Sequence, residues 1–598
     1  MSDKIVTKAF SAVSRIVRFL FLPVVREPRF FLFLYISNLL LAALLLVLDV
    51  NDSLFLSFFC AHADCYVLTV LGWLGGRWVR RTIAALYVVL LLSEVYLALG
   101  YGGMINPQMI GLVLQTNERE SEEFLSLLFS SAVFWKSIFL TAAIVLVAGV
   151  LLPYALRKAK NSLPHLAHDR RFQIGKKAFL GVLLIVLVSS GVRQLNYYLR
   201  CVAMSMSENV HGILEYSIKS VTPWIRIYYS FACHKLYSKE MPMLEETLRH
   251  VKVESCSFKS PVILLVIGES YSKHFCPVYN RKALPATPRT CQRVRQGDIV
   301  AFDDVVTPYN MTAEFFKQSF SLASVGSERP WTDYSTFPAV FKKAGYEVDF
   351  ISNQFIKERN NNGAHDQVGG AIFNYGQLSG LQFTTRNAAL TEFDGGLISQ
   401  IPLSSVSSGR PTLVIVHLLG QHFHYEMRHP KWHTPFSISD IPTCPGGEEG
   451  REARMHYTNA VHYNDSVVNA IFDLFEPYET IGIYLSDHGE EVYDYRSFYC
   501  RSQEPQITVP VAKYQYEVPF FIYMSHRYQE AHPDVVDRVR KACHLPFMTD
   551  DLSHLLIDLA GIDCEDFDRT KSPVSSSYNA SRKRLLWGRT DYDQLMKE

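Results

Sequence analysis

The sequence predicts a multi-span α-helical membrane domain followed by an α/β domain. Three observations support this organisation. The chain has 598 residues, more than one hydrophobic core usually serves, so we expect at least two domains. Most of the long uncharged runs lie before Val192. After Pro261, short apolar runs alternate with helical stretches, which is typical of an α/β fold.

Composition places the domain boundaries. We expect a five-span transmembrane domain at residues 1–199, an interfacial helical linker at 200–250 and a soluble domain at 251–598. The linker mixes aromatic and basic side chains, which suits a membrane–water interface, although an ordinary helical connector is the alternative. The formal net charge of +1 gives no electrostatic reason to expect nucleic acid as a partner.

Five segments are candidates for membrane spans, because a transmembrane helix needs about 20 mainly apolar residues. They are residues 30–48, 54–76, 82–99, 138–156 and 178–192. The second is the weakest, since His62 and Asp64 interrupt it. The first has no charge and no signal-peptide cleavage pattern before it, so we expect it to remain as an anchor.

The basic residues decide whether segment 54–76 counts as a span, because lysine and arginine collect on cytoplasmic loops. Six lie in the first 29 residues: Lys4, Lys8, Arg15, Arg18, Arg26 and Arg29. Further basic clusters follow residues 54–76 and 138–156. They share the side of the N-terminus only if 54–76 crosses the bilayer. We therefore predict five spans, a cytoplasmic N-terminus and everything after Val192 outside. A set of buried core helices is the alternative, and the matched charged flanks count against it.

The eleven cysteines include no Cys-x-x-Cys pair, which argues against a zinc ribbon or a thioredoxin-type site. In an oxidising compartment Cys276 could pair with Cys291, and Cys444 with Cys500. Buried free thiols are the alternative, and the sequence leaves the two open.

Four apolar runs of the soluble domain end in polar or ionisable groups. The runs are residues 262–267, 348–351, 413–416 and 481–485. They end in Gly-Glu-Ser, Ser-Asn-Gln, His417 with Gly-Gln-His just beyond, and Ser-Asp-His-Gly. Ligands bind at the carboxyl ends of strands in open α/β sheets, so we expect these groups to converge.

Three of the groups at these strand ends are potential metal ligands. Glu269, Asp487 and His488 are donors that Zn²⁺ accepts, and a catalytic zinc keeps one position for a reacting group. An isolated Asp-His-Gly is more often a simple turn. The combination of several strand ends therefore carries the prediction.

Four motifs, taken together, resemble a known family. VILLVIGES, VTPYNMTAEFFKQSFS, VHLLGQHFHYEMRHP and YLSDHGEEVYD occur in the order found in phosphoethanolamine transferases of the alkaline phosphatase/sulfatase superfamily. The five-span anchor resembles theirs too, so the likeness covers nearly the whole chain. The motifs VHLLGQH and SDHGEEVYD are most similar to the corresponding motifs of the branch that modifies the heptose region of the lipopolysaccharide core. The resemblance implies an α/β/α sandwich in the periplasm, anchored in the inner membrane.

The resemblance also implies roles for individual residues. Glu269, Asp487 and His488 match zinc ligands, and Thr312 matches a threonine that is both ligand and nucleophile. His422 matches a histidine that contacts the transferred phosphoryl group. The implied reaction takes phosphoethanolamine from phosphatidylethanolamine, holds it covalently on Thr312 and passes it to lipopolysaccharide. A threonine hydroxyl is a poor nucleophile, so activation by Zn²⁺ suits this chemistry.

The sequence departs from the family pattern in three places. The usual Cys-Gly-Thr-Ser-Thr wording is missing around Thr312, so Thr307 and Ser319 remain alternative nucleophiles. Residues 493–516 contain no histidine, where lipid A-modifying relatives carry a second phosphate-binding one. Family members often place a lysine after the second strand. Here Lys357 could serve, although Asn353-Gln354 followed by Arg359 fits the core-modifying branch better.

Other polar residues receive structural interpretations. We expect most histidines near His422 to be surface or structural groups, although a second metal or substrate site is the alternative; they are His417, His424, His429 and His433. Asp550, Asp551 and His554 precede an apolar run, which we interpret as a helix N-terminus with its capping acids.

Other functions compete with phosphoethanolamine transfer to the core. Lipid A is the alternative acceptor. A sulfatase or phosphodiesterase could share the fold, but formylglycine sulfatases need Cys-x-Pro-x-Arg, which no cysteine here provides. A phosphoglycerol transferase of the lipoteichoic-acid type would share the spans and the threonine. A non-catalytic membrane protein would not need to retain all four of Glu269, Thr312, Asp487 and His488.

Overall fold

The computed structural model describes residues 21–48, 54–101, 131–162, 222–356, 370–497, 499–501 and 507–597, together with a few isolated positions. The chain forms two compact units. One is a membrane unit that ends at Tyr237, and the other is a soluble unit that begins at Ser238. The predicted boundaries at residues 199 and 250 remain predictions.

The described part of the membrane unit is helical. It contains α1 (Pro28–Val47), α2 (Leu54–Tyr101), α3 (Ala132–Leu146) and α4 (Leu152–Ser162), and a π-helical turn (Val147–Leu151) joins the last two. Three stretches of the described residues are long and apolar enough to cross a membrane: Pro28–Val47, Ala61–Gly100 and Ala132–Lys158. They contain most of the first four predicted spans. The fifth, 178–192, lies almost entirely outside the described residues, so the count of five remains a prediction.

Helix α2 is too long to be a single straight span. Its 48 residues would extend about 72 Å at 1.5 Å per residue, more than twice the roughly 30 Å of a hydrocarbon core. Gly76 interrupts the helix with φ 75° and ψ −164°, a conformation that glycine adopts without steric cost. The break divides α2 where the sequence separates predicted segments 54–76 and 82–99.

Buried acids of the membrane unit are paired. Asp64 accepts a hydrogen bond from the Thr222 hydroxyl, and Arg226 Nη2 lies 2.7 Å from Glu94 Oε1. Both members of the second pair are fully buried. An unpaired charge is costly away from water, so these partners explain how segments that contain Asp64 and Glu94 fold inside an apolar unit.

A long helix, α5 (Pro223–Arg249), follows. It covers the second half of the predicted linker, while residues 200–221 lie outside the described part. Its last turns belong to the soluble unit, where Met241, Leu244 and Leu248 enter the hydrophobic core.

The soluble unit is built on a seven-stranded sheet. Its strands are β2 (Val262–Gly268), β3 (Ile299–Phe302), β5 (Glu347–Ser352), β6 (Thr385–Arg386), β7 (Thr412–His417), β8 (Thr480–Ser486) and β9 (Phe520–Met524). Their order in the sheet is β3-β9-β8-β2-β7-β5-β6. Strands β2, β5, β6, β7 and β8 are parallel, while β9 is antiparallel to both β8 and β3. All four strands predicted from apolar runs are confirmed.

Both faces of this sheet are covered. Successive residues of β2 alternate between two cores: Ile263 and Leu265 enter one, while Leu264 and Val266 enter the other. A strand buried on both faces needs a continuous apolar run, because neither side meets water. Helices pack on each face, so the predicted α/β/α sandwich is confirmed.

The remaining elements complete the layers. The helices are α6 (Pro288–Gln296), α7 (Thr312–Phe320), α8 (Phe337–Ala344), α9 (Ala371–Asn374), α10 (Leu378–Gln382), α11 (Ser404–Ser407), α12 (Gly447–Phe475), α13 (Val509–Tyr516), α14 (His526–Ala531), α15 (Pro533–Ala542), α16 (Leu552–Ala560) and α17 (Tyr592–Leu595). Short strands form three two-stranded ladders: β1 (Val253–Cys256) with β11 (Ile562–Cys564), β4 (Val305–Val306) with β10 (Phe547–Met548), and β12 (Leu585–Leu586) with β13 (Thr590–Asp591).

Candidate active site

The carboxyl ends of β2 and β8 bring three metal-binding groups together. Glu269 follows β2, while Asp487 and His488 follow β8. The two strands are neighbours, and Gly268 pairs with Ser486, so the residues after them lie side by side. All three side chains are fully buried, and their ligand atoms lie within 4.8 Å of one another. We call this group the triad.

The triad consists of acceptors that face one another. His488 Nε2 lies 3.1 Å from Glu269 Oε1 and 3.1 Å from Asp487 Oδ2. His488 Nδ1 lies 2.8 Å from the carbonyl oxygen of Gly489; this contact favours the tautomer with the proton on Nδ1, which leaves the Nε2 lone pair towards the carboxylates. Three lone-pair donors at this spacing fit a metal ion.

Electrostatics lead to the same conclusion. Burial and the neighbouring charge of Glu269 raise the pKa of Asp487 well above its usual value. Burial acts in the same direction on Glu269, but the adjacent imidazole of His488, with His422 and Arg501, holds the pKa of Glu269 well below its usual value. Two buried carboxylates this close resist joint ionisation, and a divalent cation would relieve that repulsion.

Thr312 places its hydroxyl against the triad. It is the first residue of α7, and Oγ1 lies 3.1 Å from Glu269 Oε2 and 3.3 Å from His488 Nε2. The alternative nucleophiles lie elsewhere: Thr307 donates its hydroxyl to the Tyr309 carbonyl oxygen at 3.1 Å, and Ser319 is buried within α7. Of the three hydroxyls, the structure brings Thr312 to the metal-binding groups.

The loop after β7 folds back onto Glu269 and carries His422. The Gln421 N–H donates to the Glu269 carbonyl oxygen at 2.9 Å. Gly420 has φ +53°, and a Cβ there would approach the Glu269 backbone nitrogen to 2.7 Å, so this close approach requires glycine. The Asp394 carboxylate accepts the Gly420 N–H at 2.8 Å and fixes the loop from the other side.

His422 is half-buried at the end of this loop. Burial lowers its pKa to about 3, although the negative charge of Glu269 acts in the opposite direction. The imidazole is therefore neutral near pH 7. A neutral imidazole still carries one N–H and can donate a hydrogen bond to a bound anion.

Arg501 is a contact that the sequence analysis missed. Its Nη1 donates to His488 Nε2 and lies 3.3 Å from the Asn310 carbonyl oxygen. It belongs to residues 493–516, where only the lack of histidine drew attention. Its closeness in sequence to Asp487 and His488 could have suggested a role for Arg501. However, nothing in the sequence shows that the chain returns to the strand ends at residue 501.

The sequence showed Gln354 at a polar strand end and in a family pattern, but gave it no role. Its Nε2 donates to Glu269 Oε2 at 3.2 Å and lies 3.2 Å from His417 Nε2. His417 is fully buried, and Ser352 Oγ lies 3.0 Å from its other nitrogen. His417 is therefore a structural residue, as expected, and Gln354 orients Glu269.

Two of the other histidines of the neighbouring loop each lie against a histidine of α12. His433 Nε2 lies 2.8 Å from His462 Nδ1, and the ring of His429 stacks on that of His456 with centroids 5.8 Å apart. Among the described residues, the triad is the one group of three or more histidine, cysteine or acidic side chains close enough to hold a metal. The alternative of a second metal site therefore gains no support.

The interpretation of Asp550 and Asp551 as capping acids is wrong. Asp551 precedes α16 but makes no side-chain hydrogen bond to the helix N-terminus. Instead Arg582 reaches both carboxylates, with Nη1 2.5 Å from Asp551 Oδ2, and Ser324 Oγ donates to Asp551 Oδ1 at 2.6 Å. Long-range partners outcompete the local caps here.

Lys357 and Arg359 lie outside the described residues. The four cysteines considered for disulfides are free thiols, and the Thr287 hydroxyl lies 3.8 Å from Cys276 Sγ and 3.7 Å from Cys291 Sγ.

Comparison with known families agrees with the fold. A family model described as "Sulfatase" matches residues 261–562, half of the chain, and this range contains the triad, Thr312 and His422. The chain belongs to the sulfatase family. A second family model, "Phosphoethanolamine transferase EptA/EptB", matches residues 64–191 of the membrane unit. This second match agrees with the resemblance of the motifs to phosphoethanolamine transferases.

Full-length relatives agree with this assignment. The phosphoethanolamine transferase EptC of Escherichia coli (strain K12) is 24% identical over 539 residues, covering 86% of this chain and 87% of the relative. The phosphoethanolamine transferase EptA of Helicobacter pylori is 25% identical over 488 residues, covering 79% and 81%.

A solved structure shares the fold of this chain. It is the integral membrane protein lipooligosaccharide phosphoethanolamine transferase A (EptA) from Neisseria meningitidis. The TM-score is 0.54 at 16% sequence identity, and the match covers 91% of this chain and 97% of that one. At this identity the likeness concerns the fold, and it extends over both units.

Proposed function

We propose that this protein transfers phosphoethanolamine from phosphatidylethanolamine to the heptose region of the lipopolysaccharide core, with a covalent intermediate on Thr312. The observation that carries the proposal is the position of the Thr312 hydroxyl, 3.1 Å from Glu269 and 3.3 Å from His488. A nucleophile in contact with metal ligands is the arrangement that phosphoryl transfer through a metal-activated hydroxyl requires.

The metal in this proposal is one Zn²⁺ ion, which Glu269, Thr312, Asp487 and His488 would hold. Carboxylate and imidazole donors suit zinc, and the triad would leave the fourth position for the reacting hydroxyl of Thr312. When bound, zinc supplies a Lewis acid that lowers the pKa of a hydroxyl and neutralises charge on a phosphodiester.

The residues of the chain account for the remaining steps. Thr312 Oγ1 attacks phosphorus while its proton passes towards Glu269, the acceptor of its hydrogen bond. The bond between phosphorus and the diacylglycerol oxygen breaks, and diacylglycerol leaves after taking up the proton that Glu269 received from Thr312. His422 is neutral, because its pKa is about 3, and it donates a hydrogen bond to a phosphoryl oxygen. An acceptor hydroxyl then attacks phosphorus, and the bond between phosphorus and Thr312 Oγ1 breaks. The acceptor's proton passes through Glu269 to Thr312 Oγ1 and restores the threonine hydroxyl.

The first test concerns topology. The donor is a membrane lipid and the acceptor a cell-envelope glycolipid, so the proposal places the soluble unit in the periplasm, anchored by the inner membrane. We expect a reporter that is active only outside the cytoplasm to give signal when fused after Glu598. The same reporter fused after residue 165, in the predicted second cytoplasmic loop, is the matched control and should be silent. Activity of a cytoplasm-only reporter after Glu598 would rule out the five-span arrangement.

The second test concerns the acceptor. Two features of the sequence favour the core heptose over lipid A as the acceptor. They are the sequence motifs around His422 and Asp487 and the lack of histidine in residues 493–516. We expect mass spectrometry of lipopolysaccharide to show an increment of about 123 Da, one phosphoethanolamine ester, on the core fragment of cells that carry this protein. Cells with Thr312→Ala are the control and should lack the increment. Finding it on lipid A alone would overturn the acceptor and leave the chemistry intact.

A further inference from the structure

Arg501 is held in place by groups that are not metal donors. Its Nη1 lies 3.3 Å from the Asn310 carbonyl oxygen, two residues before the nucleophile, and its Nε lies 3.7 Å from Glu490 Oε2. Glu490 is itself buried and accepts the Tyr425 hydroxyl at 2.9 Å. The guanidinium therefore has a defined position beside the triad that does not depend on the metal ligands alone.

The contact between Arg501 and His488 cannot persist in the metal-loaded protein. Arg501 Nη1 donates to His488 Nε2, the same nitrogen that faces Glu269 and Asp487 and offers its lone pair to a metal. The single lone pair of Nε2 can accept a hydrogen bond from the guanidinium or bind the cation, but not both. When a cation takes it, the N–H of Arg501 needs another acceptor, since a largely buried donor without a partner costs free energy.

The space in front of Thr312 supplies that acceptor when substrate binds. Thr312 Oγ1 and Arg501 Nη1 both contact His488 Nε2, so the guanidinium and the nucleophile lie on either side of the same nitrogen atom. A phosphodiester attacked by Thr312 presents two non-bridging oxygens there. A guanidinium is always charged near neutral pH, and its planar set of donors matches phosphate oxygens.

We propose that Arg501 is a catalytic residue that binds the non-bridging oxygens of the transferred phosphoryl group. The inference rests on the proposed function and adds a second contact to the one assigned to His422. It also explains how residues 493–516 can lack the second phosphate-binding histidine: an arginine of the same segment provides the positive charge. Unlike histidine, this group remains charged throughout the physiological pH range.

The rate of adduct formation tests the proposal. The full-length, zinc-loaded protein in detergent is mixed with phosphatidylethanolamine, and the phosphoethanolamine ester on the Thr312 peptide is followed by mass spectrometry. We expect Arg501→Gln to slow its formation by about 10²- to 10³-fold, as loss of one preorganised donor to a developing anion does. Arg501→Lys should recover part of the rate, because it keeps the charge but loses the planar fork. Zinc content should equal that of the unaltered protein in both variants.

Arg496→Gln is the matched control. Arg496 belongs to the same segment, but its Nε pairs with Glu491 Oε2 at 3.2 Å. Removing this guanidinium changes the net charge equally, and we expect the adduct rate to stay close to that of the unaltered protein, because Arg496 pairs with Glu491 and not with the triad. Equal slowing in both variants would show an effect of charge or folding and overturn the assignment.

Binding of inorganic phosphate gives a readout that does not need the reaction. We expect Arg501→Gln to raise the Kd of the zinc-loaded protein for inorganic phosphate by about tenfold or more, as loss of a charge-assisted hydrogen bond does. An unchanged Kd, an unchanged adduct rate or loss of zinc in this variant would each overturn the role of Arg501. If it does not accumulate as folded protein, Arg501→Lys decides by the same two measurements. Arg501-dependent phosphate binding without any adduct in the unaltered protein would instead refute the proposed function and retain the phosphate site.

Discussion

Replacing Thr312 by alanine is expected to abolish both the covalent intermediate and transfer to the acceptor. The hydroxyl that contacts Glu269 and His488 is lost, and no other described hydroxyl among the three candidates reaches the triad. Removal of a covalent nucleophile commonly lowers turnover by several orders of magnitude, about 10⁶-fold in a well-studied hydrolase. Thr312→Ser should retain part of the activity, because it keeps the hydroxyl on the first turn of α7.

Mass spectrometry of the digested protein checks this result. Incubation with phosphatidylethanolamine should add about 123 Da to the peptide that contains Thr312, and nothing to the alanine variant. Thr307→Ala is the matched control, because its hydroxyl is buried and bonds only to a nearby carbonyl oxygen at 3.1 Å. It should form the adduct normally. An adduct on Thr307 or Ser319 would move the nucleophile.

Asp487→Asn and His488→Ala are expected to remove the metal and, with it, transfer activity. Each takes away one of the three converging donors, and the remaining two cannot hold a zinc ion as tightly. The folded state should also lose stability, because a ligand that binds only the native protein contributes about 4 kcal/mol at a thousand times its Kd. We therefore expect a lower Tm for these variants than for the zinc-loaded protein.

Elemental analysis and thermal unfolding provide the measurements. The unaltered protein should carry one zinc per chain, and each variant a small fraction of that. Asp349→Asn is the control, since Asp349 is a buried carboxylate of β5 outside the triad. Burial raises its pKa to about 6, so the amide replaces a group that is easily neutralised. The metal assignment fails if active protein contains no stoichiometric metal and resists chelators.

The strand ends could be predicted because one physical rule links pattern and position. A parallel strand buried on both faces must be apolar along its length, so β2, β7 and β8 stand out in the sequence. Their carboxyl ends lie on one edge of the sheet, which brings Glu269 to Asp487 and His488. The choice of Thr312 came from the family resemblance, because no spacing rule singles out that hydroxyl over Thr307.

The contacts missed by the sequence analysis depend on chain segments that carry no periodic pattern. Arg501 follows the last motif, and its return to His488 is decided by packing around Glu490 and Tyr425. The error at Asp551 has a similar origin: local rules suggested a helix cap, but Arg582 lies 31 residues further along the chain. Such long-range choices leave no mark within a short window of sequence.

The order of the strands in the sheet decides when the triad can assemble during folding. Strand β2 lies between β7 and β8, both of which are synthesised much later, and the residues that meet at the triad are separated by 217 positions in the hydrogen bond from Ser270 to Asp487. Pairing across such separations forms late, because the loop-closure entropy must be met first. A partly folded chain therefore offers Glu269 without its two partners. In the proposed function, the metal ion can be acquired only after the sheet has closed.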